Sequence, residues 1–185
     1  MASKSRSKMI KSAAALIGSR GMNATSFSDV LADSGAPRGS IYHNFPKGKR
    51  QLAEEAMRWT SDVLLGHQRA CRGTTAREVL SWFVDLWRQS VVASNACSGC
   101  AVAGVALDIQ RDDDLMGIAR EMFQAWVELL AEQLHSVGVA LDQANAIAVT
   151  SLAAMEGALI LCRVESSVDP LNRVANQLMS LVQDE

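Results

Sequence analysis

Arg38, Gly39, Ser40, Tyr42, His43, Lys47 and Lys49 crowd into one short stretch of the chain. Their types suit binding rather than bond breaking. Guanidinium and ammonium groups bond phosphate oxygens, and Arg38 can also reach guanine O6 and N7. Ser40, Tyr42 and His43 offer further groups for phosphates or base edges. Gly39 leaves room for a backbone to come close. Lys47 and Lys49 sit where a helix begins, and there the helix dipole also favours a phosphate. Thr25 and Ser26, upstream, complete the set of candidate DNA contacts.

A second group with chemistry is Cys97-Ser98-Gly99-Cys100. One such pair supplies only two ligands for zinc, and no second pair follows, so no metal site is expected. No strand–helix context of thioredoxin type surrounds it. Small structural residues and a thiol switch both remain open for Cys97 and Cys100. No other nucleophile–base arrangement stands out, so an enzyme is not expected, and no cofactor is implied.

The elements that must position these residues read as helices throughout. Ser5 or Ser7 can cap a first helix to about Gly18, with Met9, Ala13, Leu16 and Ile17 as its apolar face. Ser26 and Asp29 have capping-box spacing. Gly35 fits a turn, and Pro37 can open a short helix to Asn44 whose inner residues are Ile41 and Phe45. A long helix over Lys49–Cys71 shows Leu52, Ala56, Trp59, Val63 and His67 at helical spacing. Thr74 or Thr75 caps the next, with a stripe of Val79, Trp82, Phe83, Leu86, Trp87 and Ser90. A short apolar helix spans Cys100–Ile109. Asp112 to Asp114 crowd the start of a long helix facing inward through Leu115, Ala119, Met122, Trp126, Leu130 and Leu134. Asp142 caps a helix to about Glu165, and Asp169-Pro170 starts the last, striped by Leu171, Val174, Leu178 and Leu181. The expectation is an all-α chain of nine helices.

Composition narrows the function classes. Nearly half of the 185 residues are apolar and three are Pro, which argues against disorder. No apolar run reads as reaching membrane-spanning length, and the N-terminus lacks a signal-peptide pattern, so a cytoplasmic protein with reduced thiols is expected. The net charge of −2 hides a split: residues 1–60 carry ten Lys/Arg against four Asp/Glu, and residues 61–185 carry eight against sixteen. A basic end on an acidic remainder suits a polyanion bound at one end only.

The stretch from Thr25 to Leu52 resembles the TetR family of bacterial repressors. Thr25, Ser26, Asp29, Val30, Gly35, Arg38, Gly39, Ser40, Ile41, Tyr42, Phe45, Lys49 and Leu52 carry the resemblance. The wordings GAPRGSIYHNFPKGKRQL and GCAVAGVALDI are similar to the antibiotic- and flavonoid-responsive repressors related to the lincomycin-resistance regulator. Asn44 stands where many members have His, so that contact does not carry over. The resemblance implies a helix-turn-helix DNA-binding domain over residues 1–48 and a helical ligand-binding and dimerisation domain over 49–185. It implies a repressor that binds a double-stranded, palindromic operator.

It also implies a homodimer through the last two helices and a ligand pocket between the middle ones. The residues agree: Ala144, Ala148, Ser151, Ala153, Ala154, Gly157 and Ala158 permit close approach, and the leucines of the last helix give apolar area. Trp59, Trp82, Trp87, Met122, Trp126 and Met155 are the candidate ligand contacts, since aromatic faces beside adaptable Met suit a flat, small hydrophobic effector. Ordinary core packing is the competing reading of the same residues. Oxidation of Cys97 or Cys100 is the alternative signal.

Overall fold

The computed structural model describes residues 2–111 and 113–182. Among them lie nine helices and no strand: α1 (Ala2–Arg20), α2 (Phe27–Ser34), α3 (Ser40–Asn44), α4 (Lys49–Arg69), α5 (Ala76–Ala93), α6 (Ala101–Ala106), α7 (Asp114–Ser136), α8 (Leu141–Glu165) and α9 (Asp169–Met179). Asp112, expected at the start of α7, lies outside the described residues.

Backbone contacts divide the chain into two compact units. The first takes residues up to Asp62 and adds Gly99–Met122; the second takes Val63–Ser98 and the chain from Phe123 on. This division does not fall at residue 48. The reason is α6, which packs on α1 and so joins the N-terminal helices.

That packing is a backbone contact. A Cβ on Gly18 would collide with the Gly99 carbonyl, and one on Gly104 with the Ile17 carbonyl. Gly18 therefore serves as a notch and not as the expected helix end. α1 runs on to Arg20 and stops at Gly21, whose φ of 86° and N–H bond to the Ile17 carbonyl (2.8 Å) close the helix. Met9, Ala13 and Ile17 are buried, and the Ser12 hydroxyl donates to the Val30 carbonyl of α2. Beyond α6, Asp108 accepts from the Asn23 N–H at 2.7 Å.

α3 is shorter than expected. Pro37 to Gly39 form a turn, with the Ser40 N–H donating to the Pro37 carbonyl at 2.9 Å, and helix begins only at Ser40. In α4 the buried stripe is Leu52, Ala53, Ala56, Met57, Ser61, Leu64 and Gln68. Trp59, Val63 and His67 lie one step round the helix from it and are half-buried or exposed. The expected stripe caught its edge.

In the second unit, Thr75 and Glu78 form a capping box that starts α5. Val79, Leu80, Phe83, Val84, Trp87 and Val91 point inward from it. α8 packs on α9, and α5 packs on both. α8 begins at Leu141 with no side-chain cap; Asp142 lies in its first turn and acts through charge alone. Contrary to expectation, α8 is long and apolar enough by composition to cross a membrane, because small apolar residues outweigh Glu156. Yet 44% of its apolar window is buried inside the protein. α9 buries Leu171, Ala175 and Leu178, while Leu181 lies beyond its end.

The glycine notch gives a direct test. Gly18→Ala or Gly104→Ala forces two backbones apart and is expected to cost about 1–3 kcal/mol in urea unfolding. Gly66→Ala in α4, where an added Cβ meets nothing within 4 Å, should instead stabilise by about 0.5–1 kcal/mol.

Candidate nucleic-acid interface

The turn and helix around α3 sort their polar groups into two sets. One set is spent on the fold. Thr25 is buried, and its hydroxyl donates to the Gly21 carbonyl at 2.8 Å, so it shapes the turn and does not face solvent. Ser26 accepts from the Asp29 N–H at 3.1 Å, and Asp29 accepts from the Ser26 N–H at 2.8 Å. Hydrogen bonds from the Ser26 hydroxyl and backbone, with Arg20 at 3.0 Å, hold the Asp29 carboxyl below the usual carboxylate range. The Ser40 hydroxyl donates to the Pro37 carbonyl at 2.6 Å. Asn44 donates to the Ser40 carbonyl at 2.7 Å, which occupies its amide at the position where the family pattern departs. Thr25, Ser26 and Ser40, expected to touch DNA, each have their hydroxyl engaged in a hydrogen bond within the protein.

The other set faces outward. Arg38, Gly39, Tyr42, His43 and Lys47 are exposed. Ile41 and Phe45 are fully buried and lock α3 down by its inner face. Tyr42 is 70% exposed, and its ring stands edge-on to Phe27 at 5.6 Å. A large aromatic exposed on a short helix flanked by Arg38 and Lys47 is unusual unless something covers it. A Cβ on Gly39 would meet nothing within 4 Å, so the space outside it is open. Lys49 is half-buried and donates to the Asn23 carbonyl at 3.1 Å. It therefore joins α4 to the same Asn23 that Asp108 holds.

A second clamp lies beside it. Arg50 makes a two-pronged ion pair with Asp113, both bonds at 2.7 Å. Arg50 and the Leu115 N–H together lower the Asp113 pKa to about 2. Neither Asn23 nor this pair was singled out by sequence reasoning, because the partners lie 85 and 63 positions apart.

The candidate effector residues sit in different settings. Trp59 carries Lys11 above its ring at 5.9 Å. Trp82 stacks on His67 at 4.6 Å and donates to the His67 carbonyl at 2.8 Å, so it is a surface pair. Trp87, Met122, Trp126 and Met155 are buried. An open groove of about 750 Å³ in the second unit is lined by Thr74, Gly138, Gln143 and Leu181 among others, and by none of these six. Among the described residues, the second unit buries four polar atoms without a hydrogen-bond partner: Gln68 Oε1, Trp87 Nε1, Ser98 Oγ and Ser151 Oγ. Gln68 was missed because a lone Gln on a helix gives no periodic signal. Cys97 is exposed; Cys100 is buried and its Sγ accepts from the Ala103 N–H at 3.5 Å as the cap of α6.

A capped helix, a glycine turn and a short helix flanked by exposed Arg38 and Lys47 define a helix-turn-helix DNA-binding protein. Residues 9–56 match the pattern of the tetR family of bacterial regulatory proteins, and residues 76–177 match the C-terminal domain of LmrA/YxaF-like transcriptional regulators. A helix-turn-helix-type transcriptional regulator of Mycobacterium tuberculosis strain H37Rv is 35% identical over 183 residues, covering 96% of this chain and 93% of the relative. The regulator YxaF of Bacillus subtilis is 28% identical over 181 residues, covering 96% and 95%. A crystal structure of a TetR transcriptional regulator from Legionella pneumophila superposes with a TM-score of 0.83 at 23% identity, covering 95% of this chain and 96% of that one. The chain belongs to the TetR family, in its LmrA/YxaF-like branch, and is a transcriptional regulator rather than an enzyme.

The Arg50–Asp113 clamp carries a pH signature. A depressed carboxylate pKa stabilises the fold fully above the ordinary value of 3.8 and loses that contribution as pH falls towards 2. Urea midpoints of the unaltered protein should therefore drop more steeply below pH 4 than those of Asp113→Asn. Parallel curves for the two would mean that the clamp carries no stability.

Proposed function

We propose that the protein is a homodimeric repressor. It binds a palindromic operator through α3 and releases it when a small, largely apolar or aromatic molecule binds within the second unit. As a DNA-bound regulator it acts in the cytoplasm. The observation that carries the DNA reading is the outward set of Arg38, Tyr42, His43 and Lys47 around the open space at Gly39. Arg38 suits guanine or phosphate, and Lys47 suits phosphate as a point charge.

A five-residue helix reads few bases, so two copies are needed, with half-sites about 34–36 Å apart. α8 supports pairing. One face of it is buried, yet Val149, Ile160, Leu161 and Val164 remain exposed on the other, together with the small Ala153 and Gly157. A helix that is apolar on two sides calls for two partners. The leucines Leu171 and Leu178 of α9 are already buried within the protomer, so α8 supplies the larger share of the pairing face.

Ligand response is supported by the unpartnered buried atoms of Gln68, Trp87 and Ser151. Each such atom costs about 1–3 kcal/mol, and a bound molecule can repay it by hydrogen bonding. Release then requires that the molecule bind the DNA-free conformation more tightly.

A gel shift with duplex DNA flanking the protein's own gene tests the central claim. Binding should weaken with salt, and Arg38→Ala or Tyr42→Ala should each lose roughly tenfold or more, about 1–3 kcal/mol per good base contact. Retention of full affinity in both variants counts against the assigned face. Ser151→Ala removes an unpaired hydroxyl, so the ligand-free protein should unfold at an equal or higher temperature. A clear fall would show that the hydroxyl is already bonded.

A further inference from the structure

We propose that Gln51, backed by Glu55 and Arg6, is a positioning residue that sets where Lys47 meets the DNA; this rests on the operator reading above. Lys47 lies in the turn over residues 45–48, between α3 and α4, where Gly48 has a φ of 80°. The backbone donors of this turn are all accounted for. The Phe45 N–H donates to the Ile41 carbonyl at 2.8 Å, and the Gly48 N–H to the Phe45 carbonyl at 2.9 Å. Pro46 has no N–H. The Lys47 N–H is the one that relies on a side chain, donating to Gln51 Oε1 at 3.0 Å. Gly48, just before α4, has no side chain that could cap the helix, and Gln51 reaches back from the first turn instead.

The Gln51 amide is fixed from both ends. A backbone N–H can only donate, so the amide oxygen must face Lys47. The nitrogen then faces Glu55 Oε1 at 3.0 Å, and a carboxylate can only accept. The other Glu55 oxygen pairs with Arg6 of α1, and the Arg6 guanidinium lies 5.4 Å above the ring of buried Phe45. The network therefore leaves the turn at the Lys47 amide and returns to it at the Phe45 ring. The fold alone gives little reason for this bracing. Lys47 is exposed, so water can satisfy its N–H when Gln51 is removed. What Gln51 fixes is the backbone from which a long, flexible side chain departs. Lysine meets phosphate as a point charge on a four-carbon stem, and ordering that stem costs entropy. A braced starting point narrows the phosphates it can reach.

The test is a double-mutant cycle, read as affinity for a duplex that the protein itself selects from random sequence. Gln51→Ala should weaken binding roughly threefold to tenfold, as expected for coupled neighbours. In a Lys47→Ala background the same change should cost less than about twofold, because no ammonium is left to position. Glu55→Gln checks the second arm. It removes a negative charge from the DNA-binding unit, which by charge alone should tighten binding. Loss of the link to Arg6 should weaken it instead. Independent, additive losses for Gln51→Ala and Lys47→Ala overturn the proposal, and so does a Glu55→Gln protein that binds as tightly as the unaltered one or more so. If the unaltered protein selects no duplex, the operator reading itself fails and takes this one with it, a result distinct from a bound complex with additive losses.

Discussion

Gly18 and Gly104 let α1 and α6 meet backbone to backbone, and the first unit depends on that meeting. Three short helices spanning about 45 residues bury too little apolar surface to hold themselves. The chain solves this by returning to them with residues 99–122, after a long excursion. Once α6 is seated, its following turn places Asp108 on Asn23 and Asp113 on Arg50. Asn23 in turn accepts from Lys49. The start of α4 and the turn before α2 are thus fixed from outside the helix-turn-helix. A side chain at either glycine would widen the gap, and these polar contacts, which tolerate only tenths of an ångström, would be lost together.

The same economy governs the hydroxyls of the DNA-binding segment. A serine near a helix end can cap the helix, worth about 1 kcal/mol, or reach a phosphate, but one geometry rarely allows both. Thr25, Ser26 and Ser40 take the structural option. Leaving the buried Thr25 hydroxyl unpaired would cost about 1–3 kcal/mol, more than one surface phosphate contact returns. In the proposed reading, recognition falls to exposed side chains whose polar groups are not spent in this way: Arg38, Tyr42, His43 and Lys47. The Tyr42 ring stands edge-on to Phe27, which limits the directions it can take.

Local rules made much of this legible in the sequence. The Ser26–Asp29 spacing forms the expected box, and the expected inner face of α7, from Leu115 to Leu134, is buried throughout. What escaped was long-range. Gly18 reads as a helix stop because the partner that needs its missing side chain lies 81 positions later at Gly99. Thr25 reads as a DNA contact because the motif names the residue type and not the direction of its hydroxyl. Trp82 reads as a cavity wall because helical spacing cannot reveal that His67 already claims its face. The expected boundary at residue 48 follows the motif's end, whereas the compact unit follows α6.

α8 shows how these constraints bear on assembly. Its buried face is set by α9 and α5, and small residues there, Ala144, Ala148, Ser151 and Ala158, allow close approach. If that were its only partner, selection for solubility would favour charge on the opposite face. That face instead keeps Val149, Ile160 and Val164 at spacings of roughly three to four residues per turn, with Ala153 between them. Singly exposed apolar residues need no explanation, but a continuous stripe on a helix does. The cost of exposing it disappears when a second copy covers it. In the proposed dimer the same pairing would double the number of bases read, so the residue pattern of α8 and the brevity of α3 would answer one requirement.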